Sequence, residues 1–191
     1  MYKFTGLNHL ALVTGDMDKT VRFWRDFLGM RLVLTMGKPG YRQYFFEISK
    51  NDLITFFEWP GIEPTPFKRH GGCVLGPFIF DHVSLGVEKE DDLWELADKL
   101  MVADIPVSDV IDHGFIHSIY TYDPNGIPLE FSYNVDGVNI RENPVMADKK
   151  PSKVTKEGSE PRFHLWPAVK PEEKTPDEER MIIPGEGSDL F

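Results

Sequence analysis

Two stretches of the chain, "NHLALVTGDMDKTVRFWRDFLGMRLV" (residues 8–33) and "DHVSLGVEKEDDLWELADKLMVADIPV" (residues 81–107), share one layout. Each begins with an amide or acidic residue followed by a histidine. Each then continues as an alternating strand, an acidic turn, an amphipathic helix and a further strand. Self-similarity of this kind is typical of a duplicated supersecondary unit. Each stretch is therefore predicted to begin one module of a two-module fold.

The first module is predicted to have the order βαβββ. Its apolar helix positions recur at steps of three and four: Met17, Val21, Trp24 and Leu28. Asp16 is the predicted N-cap of this helix, and Gly29 is its predicted end. The other strands of the module are predicted at 30–36, 41–48 and 53–59, separated by turn-forming "MGKPG" and "SKND".

The second module repeats this order. A strand is predicted at 79–87, a helix at 91–103, and strands at 106–111, 115–122 and 127–133. The last two strands are joined by "DPNG" (123–126), a strong turn signal. Between the modules, "PGIEPTPFKRHGGCVLGP" (60–77) is too rich in proline and glycine for regular structure, and a loop this long is often functional.

After about residue 140 the composition changes. Residues 144–191 hold seven of the fifteen prolines together with charged runs, so this part is not expected to form a core. The apolar segments "FHLW" (163–166) and "MII" (181–183) could dock on the body or on a second subunit. The predicted class is α+β, with paired βαβββ modules (about 5–60 and 78–134) in a 1–140 domain forming an open mixed-sheet half-barrel, followed by an extended or partly disordered arm over 141–191.

Charge and composition exclude several classes of partner. The formal net charge of −10 and the pI near 5.0 would repel phosphate backbones and anionic membrane surfaces, so neither nucleic acid nor a membrane is an expected partner. No apolar run approaches the roughly 18 residues of a membrane span, and the first residues do not resemble a signal peptide. The single cysteine, Cys73, agrees with a reducing compartment. These features predict a cytoplasmic protein.

Three residues form a candidate metal site. His9 and His82 occupy the same position in the first strand of each module, so pseudo-two-fold packing would bring both to one cavity. Glu130, between Leu129 and Phe131 in the last strand, is an acid in a half-buried strand and needs a compensating charge. Two imidazoles and one carboxylate make a facial triad with open positions, as in non-haem Fe(II) oxygenases, whereas structural zinc prefers a closed set rich in thiolates.

The paired modules with ligands in their first and last strands resemble the vicinal oxygen chelate superfamily over about residues 5–134. This group includes glyoxalase I, bleomycin and fosfomycin resistance proteins, epimerases and extradiol ring-cleaving dioxygenases. The resemblance implies a cup-like open barrel around a metal. Its members differ in a fourth ligand on the last strand of the first module, where "NDLITFFEWPG" (51–61) places Thr55 or Phe56 opposite Glu130 and offers Glu58 as the nearby carboxylate. Glyoxalase-like and epimerase-like members use Glu or Gln there, while extradiol dioxygenases do without.

The segment "IDHGFIHSIYTYDPNGIPLE" (111–130) is similar to the extradiol signature. The positions that fit are His113, Ile119, Tyr120, Asp123, Pro124, Gly126 and Glu130. The resemblance implies that His113 and Tyr120 line the substrate pocket and act on the substrate oxygens. It also implies an acid/base histidine shortly before the second metal ligand, for which His70 is the candidate.

The resemblance therefore implies an enzyme of aromatic compound catabolism: an Fe(II) dioxygenase that cleaves a catechol-type diol with O2. Mn(II), Ni(II), Zn(II) and Co(II) are the other metals found in such sites, and two-module relatives are commonly homodimers. Two alternatives stay open. One is a glyoxalase-like or epimerase-like lyase or isomerase using Glu58, and the other is a resistance-type protein that binds a small molecule without catalysis.

Overall fold

The structure is a computed structural model. It describes residues 7–73, 80–150, 155–160, 175–185 and 188. The chain divides into two compact units, Met1–Val138 and Asn139–Phe191. Among the described residues of the second unit, the regular structure is two single 3-10 turns, Thr155–Glu157 and Asp177–Glu179. Its segment 181–183 is exposed, and the segment 163–166 lies outside the described residues. None of the described helices combines the length and apolarity required to cross a bilayer.

The first module has the predicted βαβββ order. Its elements are β1 (His9–Thr14), α1 (Met17–Val21) continued by a π-helical segment (Arg22–Phe27), β2 (Arg31–Lys38), β3 (Tyr41–Glu47) and β4 (Leu53–Glu58). The strand order is β1-β4-β3-β2, with β1 parallel to β4 and the other pairs antiparallel. The Asp16 side chain caps α1 by accepting from the Lys19 amide (3.0 Å), and Gly29 follows the helix with φ of 79°. Both predicted helix boundaries are confirmed.

The second module repeats this topology in a separate sheet. Its elements are β5 (Val83–Gly86), α2 (Glu90–Val102), β6 (Ile111–Asp112), β7 (Ile116–Tyr122) and β8 (Pro128–Asn134). The order β5-β8-β7-β6 matches that of the first sheet, and β5 runs parallel to β8. The prediction of two duplicated modules is confirmed, as two four-stranded mixed sheets that do not close into a barrel.

The strand predicted at 106–111 is wrong for most of its length, because only Ile111 and the following Asp112 form a strand. Pro106 has no amide to donate to a ladder. Ser108 replaces ladder pairing with a local arrangement: its amide donates to the Tyr120 carbonyl (2.9 Å) and its hydroxyl accepts from the Tyr120 amide (2.9 Å). The segment therefore follows β7 without continuing the sheet.

One hydrophobic core joins the two modules. Its fully buried members include Trp24, Phe46, Ile54, Phe56, Leu93, Leu100, Ile119 and Leu129. These side chains come from one face of each sheet and from the helices that cover those faces. Because side chains alternate along a strand, residues such as Thr55 and Glu130 lie on the opposite face of their sheet.

A buried polar cluster ties the β7–β8 turn to the first module. The Thr14 hydroxyl donates to Asn125 Oδ1 (2.6 Å), and Asn125 Nδ2 donates to Thr20 Oγ1 (3.2 Å) and to Asp123 Oδ2 (2.9 Å). Trp24 Nε1 also donates to Asp123 (3.4 Å), and burial raises the pKa of this carboxyl. Asn125 is therefore the link through which the turn of one module reaches the strand and helix of the other.

The described part of the linker, residues 60–73, has no regular structure, as predicted, and lies along the β7–β8 hairpin. Thr65 donates its amide to the Asn125 carbonyl (2.8 Å) and its hydroxyl to the Gly126 carbonyl (3.1 Å). Further along, the Tyr122 hydroxyl donates to the Lys68 carbonyl (2.7 Å). The linker is thus fixed to the hairpin at both ends of this stretch.

We predict that Asn125→Ala lowers the free energy of unfolding by about 3 kcal/mol, because it leaves several buried polar partners unsatisfied. Urea unfolding measures the change. Asn51→Ala, in an exposed turn, is the matched control and should change stability by no more than about 0.5 kcal/mol. Equal effects of the two substitutions would show that the polar cluster does not stabilise the contact between modules.

We also predict that Gly126→Ala releases the linker. Gly126 has φ of 78°, and a Cβ there would lie 2.3 Å from the Thr65 carbonyl oxygen. Gly137 has φ of 76° with open space around it, so Gly137→Ala should cost only the roughly 1 kcal/mol of the left-handed conformation. Gly126→Ala should cost about 2 kcal/mol more and speed trypsin cleavage after Lys68 and Arg69. Indistinguishable cleavage rates for the two variants would contradict the proposed attachment.

Candidate metal centre

Glu130 is the centre of a hydrogen-bonded group on the face of the second sheet that turns away from the core. The strand register places Tyr120 of β7 and Ser84 of β5 directly beside it, so all three side chains project from one face. Tyr120 Oη donates to Glu130 Oε1 (2.9 Å), and His82 Nε2 lies 3.0 Å from Glu130 Oε2. Glu130 is only 4% exposed.

These neighbours set the charge of the group. Burial alone would raise the pKa of Glu130, but the hydroxyls of Ser118, Ser84 and Tyr120 together hold it below its usual value. Burial, followed by the interaction with Glu130, raises the pKa of Tyr120 to about 12. At neutral pH the group therefore contains an ionised carboxylate and a protonated phenol that donates to it.

His82 is oriented by Asp81. The Nδ1 atom of His82 donates to Asp81 Oδ1 (2.7 Å), and Asp81 also accepts from Lys68 Nζ (2.5 Å) and the Gly71 amide (3.1 Å). Lys68, followed by His82, holds the pKa of Asp81 well below its usual range. A histidine that donates Nδ1–H to a carboxylate leaves Nε2 as an electron-pair donor, which is the usual support of a metal-bound histidine.

The pair formed by His82 and Glu130 fits two ligands of a divalent metal. Nε2 of His82 and the ionised carboxylate oxygen of Glu130 face each other, and either a proton on Nε2 or a metal ion bound by both atoms balances the carboxylate at this distance. Ligands at about 2.1 Å and at right angles around one ion lie about 3.0 Å apart. The observed 3.0 Å separation of Nε2 and Oε2 has this value.

A cavity of about 420 Å³ opens beside this pair. It is lined by Arg69, His70, Gly71, His82, Ser108, Ile111, His113 and Tyr120. His113 Nε2 lies 2.9 Å from the Tyr120 hydroxyl, and the His70 ring lies 4.7 Å from the Tyr120 ring. The three predicted catalytic residues, His113, Tyr120 and His70, therefore lie together at one cavity with His82.

The linker holds His70 in this position. Its Nε2 contacts the Thr121 carbonyl (3.1 Å), and its ring lies 6.1 Å from that of His82. Burial, followed by repulsion from His82, lowers the pKa of His70. A neutral imidazole with Nε2–H donated to Thr121 keeps Nδ1 available as a proton acceptor.

His9 lies in the first sheet and outside this cavity. Its Nδ1 contacts Asn8 Oδ1 (2.8 Å), which repeats the contact between His82 and Asp81, and its exposed ring packs against Phe45. Throughout the described part of the chain, no three residues of the types His, Cys, Asp and Glu are grouped closely enough to share a metal ion. Within one chain, then, the structure brings together His82 and Glu130 but not His9. The reason is that β1 and β5 are edge strands of two separate sheets.

The position for a fourth ligand is occupied by Thr55. In the first sheet Ala11 pairs with Thr55, just as Ser84 pairs with Glu130 in the second, so Thr55 is the equivalent of Glu130. Thr55 is fully buried, and its hydroxyl donates to the Tyr44 carbonyl (2.9 Å). Three residues later along β4, Glu58 faces the other side of the sheet.

Glu58 is already bound by other groups. It accepts from the Met17 amide at the start of α1 (2.7 Å) and pairs with Arg42. A carboxylate that holds a helix N-terminus on the core side of the sheet does not fit a ligand of a metal on the opposite side.

Sequence reasoning missed the role of Asp81 and Lys68 in supporting His82. The signal was present, because an amide or acidic residue precedes the histidine in both modules. The alternation of β8 did predict the face on which Glu130 lies.

Comparison with known proteins gives the family. Residues 6–131 match the Glyoxalase/Bleomycin resistance protein/Dioxygenase superfamily. The chain is 27% identical to an iron-dependent extradiol dioxygenase of Rhodococcus jostii over 66% of its length, but it spans only 42% of that relative. It is 25% identical to a lactoylglutathione lyase of Haemophilus influenzae, covering 66% of this chain and 90% of the relative.

Solved structures have the same fold. A glyoxylase/bleomycin resistance protein/dioxygenase domain from Frankia sp. EAN1pec is 20% identical, with a TM-score of 0.59 over 70% of this chain and all of that domain. The region that matches the family model, residues 6–131, spans the two βαβββ modules almost completely and includes His9, His82 and Glu130. The chain belongs to the Glyoxalase/Bleomycin resistance protein/Dioxygenase superfamily.

Proposed function

We propose that this protein is a metal-dependent dioxygenase that cleaves the ring of a catechol-type diol beside its hydroxyl groups. One observation carries the proposal: the site equivalent to Glu130 in the first module is Thr55, whose hydroxyl is committed to the backbone. This leaves a set of two histidines and one carboxylate, with the open positions that a non-haem Fe(II) oxygenase requires.

His82 and Glu130, together with His9, would hold the metal, for which Fe(II) is the proposed ion. When bound, the ion would supply open positions for the two adjacent substrate oxygens and for O2, and it would allow electron density to pass from the diol to O2. Asp81 accepts from Nδ1 of His82 and so orients the ring with Nε2 toward Glu130. Tyr120 donates to Oε1 of Glu130, which leaves Oε2 available to the metal.

The cavity residues supply proton transfer. Neutral His70 can accept a proton at Nδ1 from a substrate hydroxyl and return it later, because its lowered pKa keeps it unprotonated at neutral pH. The His113 imidazole donates from Nε2 to Tyr120 Oη (2.9 Å), and a substrate oxygen that develops negative charge can replace Tyr120 as the acceptor of this hydrogen bond. The attached linker contributes Arg69, His70 and Gly71 to the lining of this cavity.

A second copy of the chain is proposed to supply His9. Nδ1 of His9 contacts Asn8 as Nδ1 of His82 contacts Asp81. Within the described chain, however, no other possible metal ligands group with His9. The β1 edge of one copy, where Val13 is 42% exposed, could lie beside the β5 edge of another. The protein would then be a homodimer in which the first module of one copy completes the site of the other.

A lyase of the glyoxalase type is the second candidate. It is favoured by the coverage of 90% of the Haemophilus influenzae lactoylglutathione lyase, against 42% of the Rhodococcus jostii dioxygenase. The ligand set argues against it, because Glu58 binds α1 and Arg42. A protein that only binds small molecules would not need the row of side-chain hydrogen bonds that connects His113, Tyr120, Glu130 and His82.

The shared metal site predicts complementation between variants. His9→Ala and His82→Ala should each abolish activity and stoichiometric Fe(II) binding. If they are unfolded and refolded together, about a quarter of the sites should be intact, because one site of each mixed dimer receives both histidines. Oxygen uptake and bound iron measure the recovery.

Mixtures of His82→Ala with Glu130→Ala provide the control. Both residues lie on the second sheet, so every site in a mixed dimer lacks one ligand and no recovery is expected. Recovery in this control, or none in the first mixture, would contradict a site shared between copies.

The proposed reaction predicts oxygen consumption that depends on a diol. After anaerobic reconstitution with Fe(II), the protein should take up O2 in a one-to-one ratio with a cleaved catechol, and Glu130→Ala should lose this activity. Hydroquinones and gentisate-like acids complete the panel, and a thiol hemiacetal tests the lyase. Turnover of the hemiacetal without O2 uptake for any diol would replace the dioxygenase with the lyase.

A further inference from the structure

Arg69 is a cation at the candidate active site that none of the proposed chemistry uses. It lines the 420 Å³ cavity together with His70, His82 and Tyr120. Its placement is notable in a chain with 31 acidic and 21 basic residues, where surface arginines readily find carboxylates. Within the described residues, five of the six other arginines pair in this way, Arg141 being the exception: Arg22, Arg25, Arg31, Arg42 and Arg180.

The Arg69 guanidinium has no such partner among residues 7–73 and 80–150. The two acidic groups of the candidate site are already bound. Asp81 binds Lys68 and His82, and Glu130 binds Tyr120 and His82. The positive charge of Lys68 is thus neutralised by Asp81, while that of Arg69 is left at the cavity wall.

The backbone of Arg69 is fixed, although its side chain is exposed. Its carbonyl accepts from the Gly72 amide (3.1 Å) and from Lys68 Nζ (3.2 Å). The preceding carbonyl accepts from Tyr122, and the following side chain contacts Thr121. Because the backbone is already fixed, only the Arg69 side chain has to become ordered when it binds an anion.

Guanidinium is suited to carboxylates because its planar donors form paired, charge-assisted hydrogen bonds. The metal pair at one part of the wall would take the two adjacent oxygens of a diol. A cavity of this volume has room for a substituted aromatic ring between the metal pair and Arg69.

We infer that Arg69 determines substrate specificity by binding a carboxylate on the substrate, so that the substrate class is aromatic diols that carry an acid group. This inference rests on the proposed function, and it adds the charge of the substrate to it. Recognition by Arg69 acts on binding, whereas His70, His113 and Tyr120 act on the reacting oxygens.

The test compares 3,4-dihydroxybenzoate with catechol, two probes that differ only in the carboxylate. Arg69→Gln should raise KM for 3,4-dihydroxybenzoate about tenfold to a hundredfold with little change in kcat, and leave KM for catechol within about twofold. For Arg69→Lys, KM for 3,4-dihydroxybenzoate should lie between the values for the unchanged protein and for Arg69→Gln. Arg22→Gln removes one positive charge from an exposed helix surface and should change neither constant, which controls for long-range electrostatics.

Anaerobic titration calorimetry of the protein without added metal measures binding independently of turnover. The protein should bind 3,4-dihydroxybenzoate more tightly than catechol, and Arg69→Gln should lose this preference. Equal effects on both probes, or no effect on either, would overturn the inference even if catechol is cleaved. If the binding preference is present and Arg69-dependent while no diol drives O2 uptake, recognition of the carboxylate stands and the dioxygenase proposal fails.

Discussion

The arrangement of the second sheet depends on the burial of one carboxylate. Glu130 lies in β8 between Leu129 and Phe131, which belong to the core, so its own side chain must project from the opposite face. A buried anion is costly unless donors or a cation surround it. The hydroxyl of Tyr120 donates to this carboxylate, Nε2 of His82 lies 3.0 Å from its other oxygen, and Asp81 and Lys68 in turn fix His82. The proposed site consists of Glu130 and these surrounding residues.

Two attachments keep these groups in register. The polar cluster around Asn125 fixes the β7–β8 turn to β1 and α1 of the first module. The linker then follows the same hairpin. Thr65 binds the turn, and Lys68 and His70 contact strand β7. The "DPNG" turn thus fixes the strand that carries Glu130 and the loop that carries His70, which explains why a tight turn and several reactive groups occur together in one short stretch of sequence.

Much of the fold could be predicted from the sequence, because periodicity and turn chemistry are local properties. Alternation in "IPLEFS" gave the face of Glu130, and capping by Asp16 gave the start of α1. The strand predicted at 106–111 was wrong, because the contacts of Ser108 with Tyr120 that replace it depend on tertiary packing. The choice between Thr55 and Phe56 required the strand register, which sequence spacing alone leaves open by one residue. Duplication predicted that His9 and His82 are equivalent, but it did not specify whether they meet within one chain or between two.

The central claim is that His82 and Glu130 are two adjacent ligands of a metal that His9 completes from a second copy. A crystal structure of the protein reconstituted anaerobically with Fe(II) tests it most directly. The account predicts one ion bound by Nε2 of His82 and a carboxylate oxygen of Glu130 from one copy, and by Nε2 of His9 from the other, with the remaining positions open to the cavity beside Tyr120. An ion bound elsewhere, or a His82–Glu130 pair that binds iron while His9 remains in solvent, would contradict it.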